Sequence, residues 1–457
     1  MTEQPSHQTA TLERTLGRRD LILLIIGTVI GSGIFIVPGA VLRQVQGDVT
    51  MAMLVWFVGG ILSLLGALTY GELAARSPKA GGIYIYIRDG FSPLLAFLYG
   101  WTLFFVISTG AIATLAVAFS AYLGEIVLLT PALSKLVAIG MIAIVTIVNI
   151  LGTRKSSDLQ NWTTAIKVAA ILIMSATLFL LGRGFSGNGA TVLTPEAGAS
   201  LASGFGLAMI GVLWAYEGWQ YVTFSAGETL NAQRNFPRAM VIGSAALIGI
   251  YLLANLAYIA ALGPTKAALT DSIAATAVTE VVGPGAAKLV ALAILISIFS
   301  AANGVALTAP RVYYAMARDG LFFHRLAEVH PRFHTPAFAV LACSVWAAAL
   351  AVTGTFEQLF TYVVFSGWIF YAVGAASIFI YRRRSPEIAS PYRVPGYPWT
   401  PLLFILAATA LVINTIATQP VRAAVGLGIV LLGAPAYLIW RSRKAVGRGE
   451  ATGVTER

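Results

Sequence analysis

Twelve stretches of this chain are apolar for long enough to cross a bilayer, and that feature constrains the fold more than any other. A spanning helix takes roughly 20 mostly apolar residues. The stretches are Leu21–Leu42, Met51–Ala75, Leu94–Leu123, Leu136–Leu151, Trp162–Leu181 and Gly204–Ala226, then Ala239–Leu262, Leu289–Ala317, Ala337–Val352, Leu359–Tyr381, Leu402–Ala417 and Val421–Trp440. With 58% hydrophobic residues, 11% charged ones and a mean hydropathy of +0.80, the chain lies far from the balance of a soluble domain. Hydrocarbon offers no partner to a bare peptide group, so apolar runs of this length are expected to be helices. The expected class is an all-α integral membrane protein in contact with the lipid bilayer.

A net charge of +11 raises the question of nucleic acid, and the placement of the cations answers it. With the N-terminus in the cytoplasm, 23 of the 30 lysines and arginines fall in cytoplasmic segments and six in outer loops, and Lys167 alone lies within an apolar span. This is the positive-inside pattern for twelve helices with both termini cytoplasmic, in a cell (inner) membrane. It gives no reason to invoke nucleic acid. Residues 1–19 mix acids and arginines without an apolar core and read as a cytoplasmic tail rather than a signal peptide. Cys343, the only cysteine, falls inside a span, so no disulfide within the chain is expected. The largest polar insertions, Gly263–Pro284, Asp319–Pro336 and Arg382–Pro401, are too short for a soluble domain. Within the first, Lys266–Leu269 and Ile273–Val281 carry a helical pattern and read as short surface helices over an entrance.

Two spans are interrupted. The first reads Gly27-Thr28-Val29-Ile30-Gly31-Ser32-Gly33-Ile34-Phe35, and the sixth reads Trp214-Ala215-Tyr216-Glu217-Gly218-Trp219-Gln220-Tyr221. Small residues alone are explained by close helix packing. The interruptions, however, open successive blocks of five spans, and five is odd, so the second block is expected to lie inverted relative to the first. Paired broken helices in an inverted repeat point to a binding site at the membrane midplane. Amides of Ser32, Gly33 and Ile34 at the start of the second half-helix suit a carboxylate, with the helix dipole assisting. Carbonyls released near Val29, Trp214 and Ala215 suit an ammonium group. Trp214, Tyr216, Trp219 and Gln220 are placed to meet the ligand's side chain, and the three aromatics to close over it.

These residues resemble the amino acid–polyamine–organocation superfamily, and within it the L-type amino acid transporters of prokaryotes. The likeness runs nearly end to end. It includes the first-span motif above, Tyr70-Gly71-Glu72-Leu73, Gly81-Gly82-Ile83-Tyr84-Ile85-Tyr86, Ala215-Tyr216 with Gly218-Trp219, Asn235-Phe236-Pro237-Arg238-Ala239, Asn303-Gly304 and Ala317-Arg318-Asp319-Gly320. The resemblance implies a LeuT-like five-plus-five inverted repeat with two further helices. The chain then divides into a tail 1–19, a first repeat 20–182, an inverted repeat 183–381, two more helices 382–441 and a tail 442–457. It further implies substrate-binding positions at Val29, Ile30, Ser32, Gly33, Ile34, Trp214, Ala215, Glu217 and Gln220, with the amino group on carbonyls of Val29, Trp214 and Glu217. Trp214 takes the place of an aromatic gate, joined by Tyr216 and Trp219. Lys167 matches a lysine that bridges the first and eighth helices where sodium sits in sodium-coupled cousins.

Lys167 and Glu217 are the candidates for ion or proton coupling. Lys167 lies about seven residues from the polar end of its apolar stretch, only roughly 10 Å deep, so snorkelling is its alternative reading. Glu217 departs from the glycine expected there. It reads as a structural hydrogen-bonding group, as a proton carrier because burial disfavours a charged carboxyl, or as a selector of basic substrates. Tyr84 and Tyr86 read as packing aromatics near an interface. Glu72 and Glu228 stand near Arg76 and Arg234, which suggests latching salt bridges or inconsequential exposed pairs. His330 and His334 have helical metal-pair spacing, but Pro331 lies between them and no metal site is expected. No His, Asp or Cys cluster suggests an enzyme, and no cofactor is expected. The outer loop Gly124–Lys135 has no cysteine for a disulfide-linked heavy chain. The expected activity is secondary transport of amino acids, neutral ones first, by exchange or proton symport. The alternative is an amine, polyamine or cationic amino acid exchanger.

Overall fold

The computed structural model describes residues 12–184, 201–384 and 391–452. His7 and the outer parts of both expected tails lie outside the described residues. Among the described residues the architecture is helical throughout, apart from one isolated bridge between Leu16 and Thr229. Nine helical spans are long and apolar enough to cross a membrane, and a bent pair makes a tenth. That pair is α1 (Arg18–Val29) and α2 (Gly33–Gln44), inclined at 47° across a short break. Two apolar helices are shorter, α9 (Leu201–Ala215), apolar over Gly204–Ala215, and α14 (Ala337–Thr353). Each expected apolar stretch falls on one of these elements, Gly204–Ala226 only as far as Ala215.

The other elements follow in chain order. After α3 (Val49–Arg76) come the short α4 (Ile83–Gly90) and α5 (Pro93–Thr102), which runs through a π-turn at Leu103–Ile107 into α6 (Ser108–Gly124). α7 (Pro131–Ile150), α8 (Thr153–Leu181) and α9 precede a 3-10 segment, Tyr221–Glu228. The long α10 (Ala232–Ala268) is followed by α11 (Ile273–Val281), α12 (Pro284–Thr308) and α13 (Pro310–Arg318). After α14 come α15 (Phe356–Arg384), α16 (Trp399–Thr418) and α17 (Pro420–Thr452). Local chemistry fixes several starts. Asp48, Ser92 and Thr130 each accept the backbone amide three residues on, and the last two are followed by a proline at the first helical position.

The broken elements occupy the middle. α1 packs against α8, α10 and α12, and α2 packs against α9 and α10. The last two helices are peripheral, α16 lying against α3 and α15, and α17 against α5 and α15.

One boundary differs from the hydropathy reading in an informative way. α8 begins at Thr153, nine residues before the apolar stretch at Trp162. Its first turns are polar yet bury Thr153, Ser156, Ser157 and Gln160, and the same stripe continues through Thr164 and Lys167 to Ser175. Thr153, Ser156, Gln160, Thr164 and Lys167 are hydrogen-bonded inside the bundle, whereas the Ser175 hydroxyl has no partner among the described residues. Ser156 donates to Asn149, Asn149 to Asn303, and Asn303 to Gln160 at 3.0 Å. Hydropathy misses such residues because satisfied polar groups can be buried at little net cost. The Gly263–Pro284 segment does form a helix at Ile273–Val281, but Ile273, Ala274, Ala277 and Val278 are buried, so it packs into the bundle rather than resting on its surface.

Candidate binding site between two broken helices

At the first break the last turn of α1 ends in carbonyls and the first turn of α2 begins in amides, and the two sets are treated differently. Lys167 on α8 is fully buried, and its ammonium donates to the carbonyls of Gly27 and Ile30 at 2.6 Å and of Ser297 at 3.3 Å. An ammonium has three donors, and three acceptors meet it here. The positive charge also faces the C-terminal, negative end of the α1 dipole. Ser297 on α12 donates to Ile30 and Gly31 carbonyls at 3.1 Å. Snorkelling does not occur: because α8 starts at Thr153, Lys167 lies 14 residues into it, about 21 Å along its axis. By contrast, among the described residues nothing accepts from the amides of Ser32, Gly33 and Ile34, and the Ser32 hydroxyl is buried without a partner.

The second break follows Ala215. Glu217 is buried and its Oε1 receives two hydrogen bonds of 2.5 Å, from Gln220 Nε2 and from the Tyr371 hydroxyl on α15. Gln220 also donates to Tyr371 at 2.7 Å and accepts from the Gly218 amide at 3.3 Å. Both bonds to the carboxyl fall on one oxygen, which leaves Oε2 for the cavity. On α10, the Tyr251 hydroxyl lies 2.8 Å from the Ala215 carbonyl and 3.2 Å from that of Val29. The Trp214 carbonyl accepts from the Glu217 amide at 3.0 Å. The carbonyls of Val29, Trp214 and Ala215, expected to be free for an ammonium group, are therefore already engaged. Side chains from α8, α10 and α12 reach carbonyls that the sequence shows only as interrupted helix.

The two breaks touch backbone to backbone. A methyl group on Gly33 would lie 2.7 Å from Ala215 Cα, and one on Gly218 would lie 3.0 Å from the Thr28 carbonyl group. Gly218 also has φ of +127°, where side chains are strained. Between the breaks lies a cavity walled by Thr28, Val29, Gly31, Ser32, Gly33, Trp214, Glu217 and Gly218, with Ala111 and Leu115 of α6, Tyr221 and Val305 completing it. Its volume is about 30 Å³, room for about two waters. A larger ligand requires the walls to part.

Of the positions singled out from sequence, Val29, Ser32, Gly33, Trp214 and Glu217 line this cavity. Ile30, Ile34, Ala215 and Gln220 lie just behind it and are buried. Tyr216 and Trp219 do not reach it. Tyr216 packs on Trp56 and Tyr251, and Trp219 packs on Tyr70 and Phe404. Successive residues of the break point in different directions, so Tyr216 and Trp219, close to Trp214 in sequence, pack as scaffold. Tyr371, Tyr251 and Ser297 were missed. Nothing near them in sequence signals their partners, which lie far along the chain.

The end of the bundle nearest the N-terminus is closed by ion pairs. Arg311 on α13 and Glu228 are both fully buried; Arg311 Nε and Nη2 bond the two carboxylate oxygens at 2.6 and 2.9 Å, and Thr153 donates to Oε1 at 2.7 Å. The expected partner of Glu228, Arg234, is exposed on α10. Glu72 does pair with Arg76 at 2.9 Å, and it also receives Arg382 at 2.6 Å and the Val394 amide at 2.7 Å. Asp20 binds Arg154, and Asp319 accepts from Arg88 and from Tyr84. Tyr84 and Tyr86 are buried packing residues. Arg76, Arg88, Arg154, Arg311 and Arg382 thus each hold an acid within this end of the bundle. His330 accepts from the Arg332 and Phe333 amides in a local turn.

Comparison with known proteins matches residues 16–434 to the family model described as "Amino acid permease". The serine/threonine exchanger SteT of Bacillus subtilis (strain 168) is 32% identical over 437 residues, covering 95% of this chain and 98% of SteT. The b(0,+)-type amino acid transporter 1 of Mus musculus is 32% identical, covering 92% of this chain and 86% of that protein. The cystine/glutamate transporter of Homo sapiens is 30% identical, with 96% and 88% covered.

Proposed function

The chain belongs to the amino acid permease family, and from that premise we propose that it moves amino acids across the cytoplasmic membrane by alternating access, as an exchanger or proton symporter. As a member of this family it is a multi-pass membrane transporter and not an enzyme. Neutral L-amino acids are the first substrates, and the closed, N-terminal end of the bundle faces the cytoplasm. The proposed frame is twelve spans, with 20–182 and 183–381 as inverted repeats. Support for it comes from the central position of α1, α2 and α9 and from the way each break's glycine rests on the other's backbone.

The observation that carries this reading is the contrast between free amides and occupied carbonyls. Amides of Ser32, Gly33 and Ile34 and the Ser32 hydroxyl are unpaired at the positive end of α2, which suits a carboxylate. The carbonyls nearby have partners, so the acceptor left for an α-ammonium group is Glu217 Oε2, aided by the remaining carbonyl lone pairs. Closing a small cavity around both ends of a zwitterion needs little more. Glu217 also favours a second reading, in which the same carboxylate takes the terminal cation of an amine or a basic amino acid.

Uptake of labelled amino acids into proteoliposomes, with and without internal amino acid and with and without an inward proton gradient, separates these readings. Exchange requires internal substrate. Symport follows the gradient and is lost in Glu217→Gly. Uptake of arginine or putrescine but not of serine or leucine overturns the neutral assignment, and transport of none of these overturns the substrate class.

A further inference from the structure

A second cavity, far larger than the first, opens on the flank of the bundle between α8, α11 and α12. Its volume is about 310 Å³, and its wall runs from Phe35 and Lys167 at the inner end past Ile171 and Ile173 to Val282 and Leu289 at the rim. Lys167 and Thr177 are its only polar lining residues. The ammonium of Lys167 is turned toward three backbone carbonyls, so the groove is left with its methylene stem. Water needs two to four polar partners to stay, and this wall offers too few.

Depth and exposure identify what does stay. From Lys167 to Thr177 is ten residues of α8, about 15 Å, which is half of a hydrocarbon layer ~30 Å thick. The groove is therefore one leaflet deep. Its rim residues Ile173 and Leu289 are 66% and 70% exposed on spans that face lipid, so the medium entering from the side is hydrocarbon. Beside Leu289, near the start of α12, Lys288 is exposed and pairs with no acid among the described residues, while Glu280 on α11 is already held by Lys266.

We propose that this groove is a lipid site that takes one acyl chain of an anionic phospholipid from the leaflet opposite the N-terminal end, with the phosphate at Lys288 and the chain tip against Phe35 and Lys167. Phe35 lies on α2 three residues past Ser32, and Lys167 clamps the end of α1, so the chain tip touches both sides of the first break. Occupancy braces α2 in the closed arrangement seen here. A bound tail of this kind makes transport responsive to bilayer composition through a surface remote from the cavity between the breaks.

The test is photo-crosslinking of the full chain in liposomes with phosphatidylglycerol bearing a diazirine in its tail, followed by peptide mapping. Label is expected to concentrate on α8 and α12 residues of the groove and to fall about tenfold in Ala293→Trp, which fills it. Leu289→Trp at the rim provides the same test if Ala293→Trp does not fold. Labelling no denser than on the lipid-facing surfaces of α7 and α14, or unchanged in the filled variant, overturns the site. Cross-linking of the groove to a second copy of the chain overturns it as well. Equal labelling by a phosphatidylcholine probe overturns the choice of an anionic lipid, and equal labelling in Lys288→Gln overturns the assignment of the phosphate to Lys288.

Discussion

Gly33 lacks a side chain at a point where there is no place for one, since its missing Cβ would overlap the Ala215 backbone. Gly33→Ala is expected to force the two breaks apart and to reduce uptake about tenfold or more with the protein still folded, as measured by initial rates and by melting in detergent. Residue-scale features of this kind were legible in sequence where the signal is local. Glycines and polar groups inside an apolar run mark positions 27–35 and 214–221 as interrupted, and Ser32, Gly33, Trp214 and Glu217 do line the cavity. What stayed hidden is who answers the broken backbone. Tyr251 is 222 residues from Val29, and Tyr371 is 154 from Glu217. Tyrosines in apolar helices look alike until packing gives each hydroxyl its partner, and the directions of Tyr216 and Trp219 depend on the same packing.

Among the elements, α8 ties the first break to its neighbours through Lys167. Lys167→Met keeps its bulk but removes the side-chain donor to the Gly27 carbonyl and one of the two donors to that of Ile30, and a buried carbonyl left without a partner costs about 1–3 kcal/mol. The expected result is a lower melting temperature and loss of uptake, with expression retained. The pair Arg311–Glu228 links α13 to the end of the 3-10 segment. Removing one partner leaves a buried charge and costs about 3–5 kcal/mol, whereas removing both leaves none. Arg311→Leu and Glu228→Leu are each expected to melt below the double variant; a double variant less stable than either single one would show that the ions are not paired in the folded protein. At this scale the apolar stretches fall on helices, but hydropathy placed the start of α8 nine residues late because a stripe of buried polar residues carries no apolar signal.

For the whole molecule, the asymmetry of charge and the placement of ion pairs agree: the arginines that orient the chain also fasten one end of it. Cysteines introduced at Arg325 and at Lys288 are expected to react with an impermeant maleimide from opposite sides, Lys288→Cys in intact cells and Arg325→Cys only after lysis. Cys343 is buried and adds little background. Labelling of both variants in intact cells would overturn the orientation. The two interrupted elements are also joined at that fastened end. Leu16 and Thr229 form a bridge, with Thr15 and Leu16 amides on the Glu228 carbonyl and the Leu230 amide on the Leu16 carbonyl. Mechanically, this makes a coupling rod between α1 and the segment that follows α9. Two levers joined at their tips have one degree of freedom rather than two, so while these three hydrogen bonds hold, neither can swing toward the N-terminal side without taking the other along.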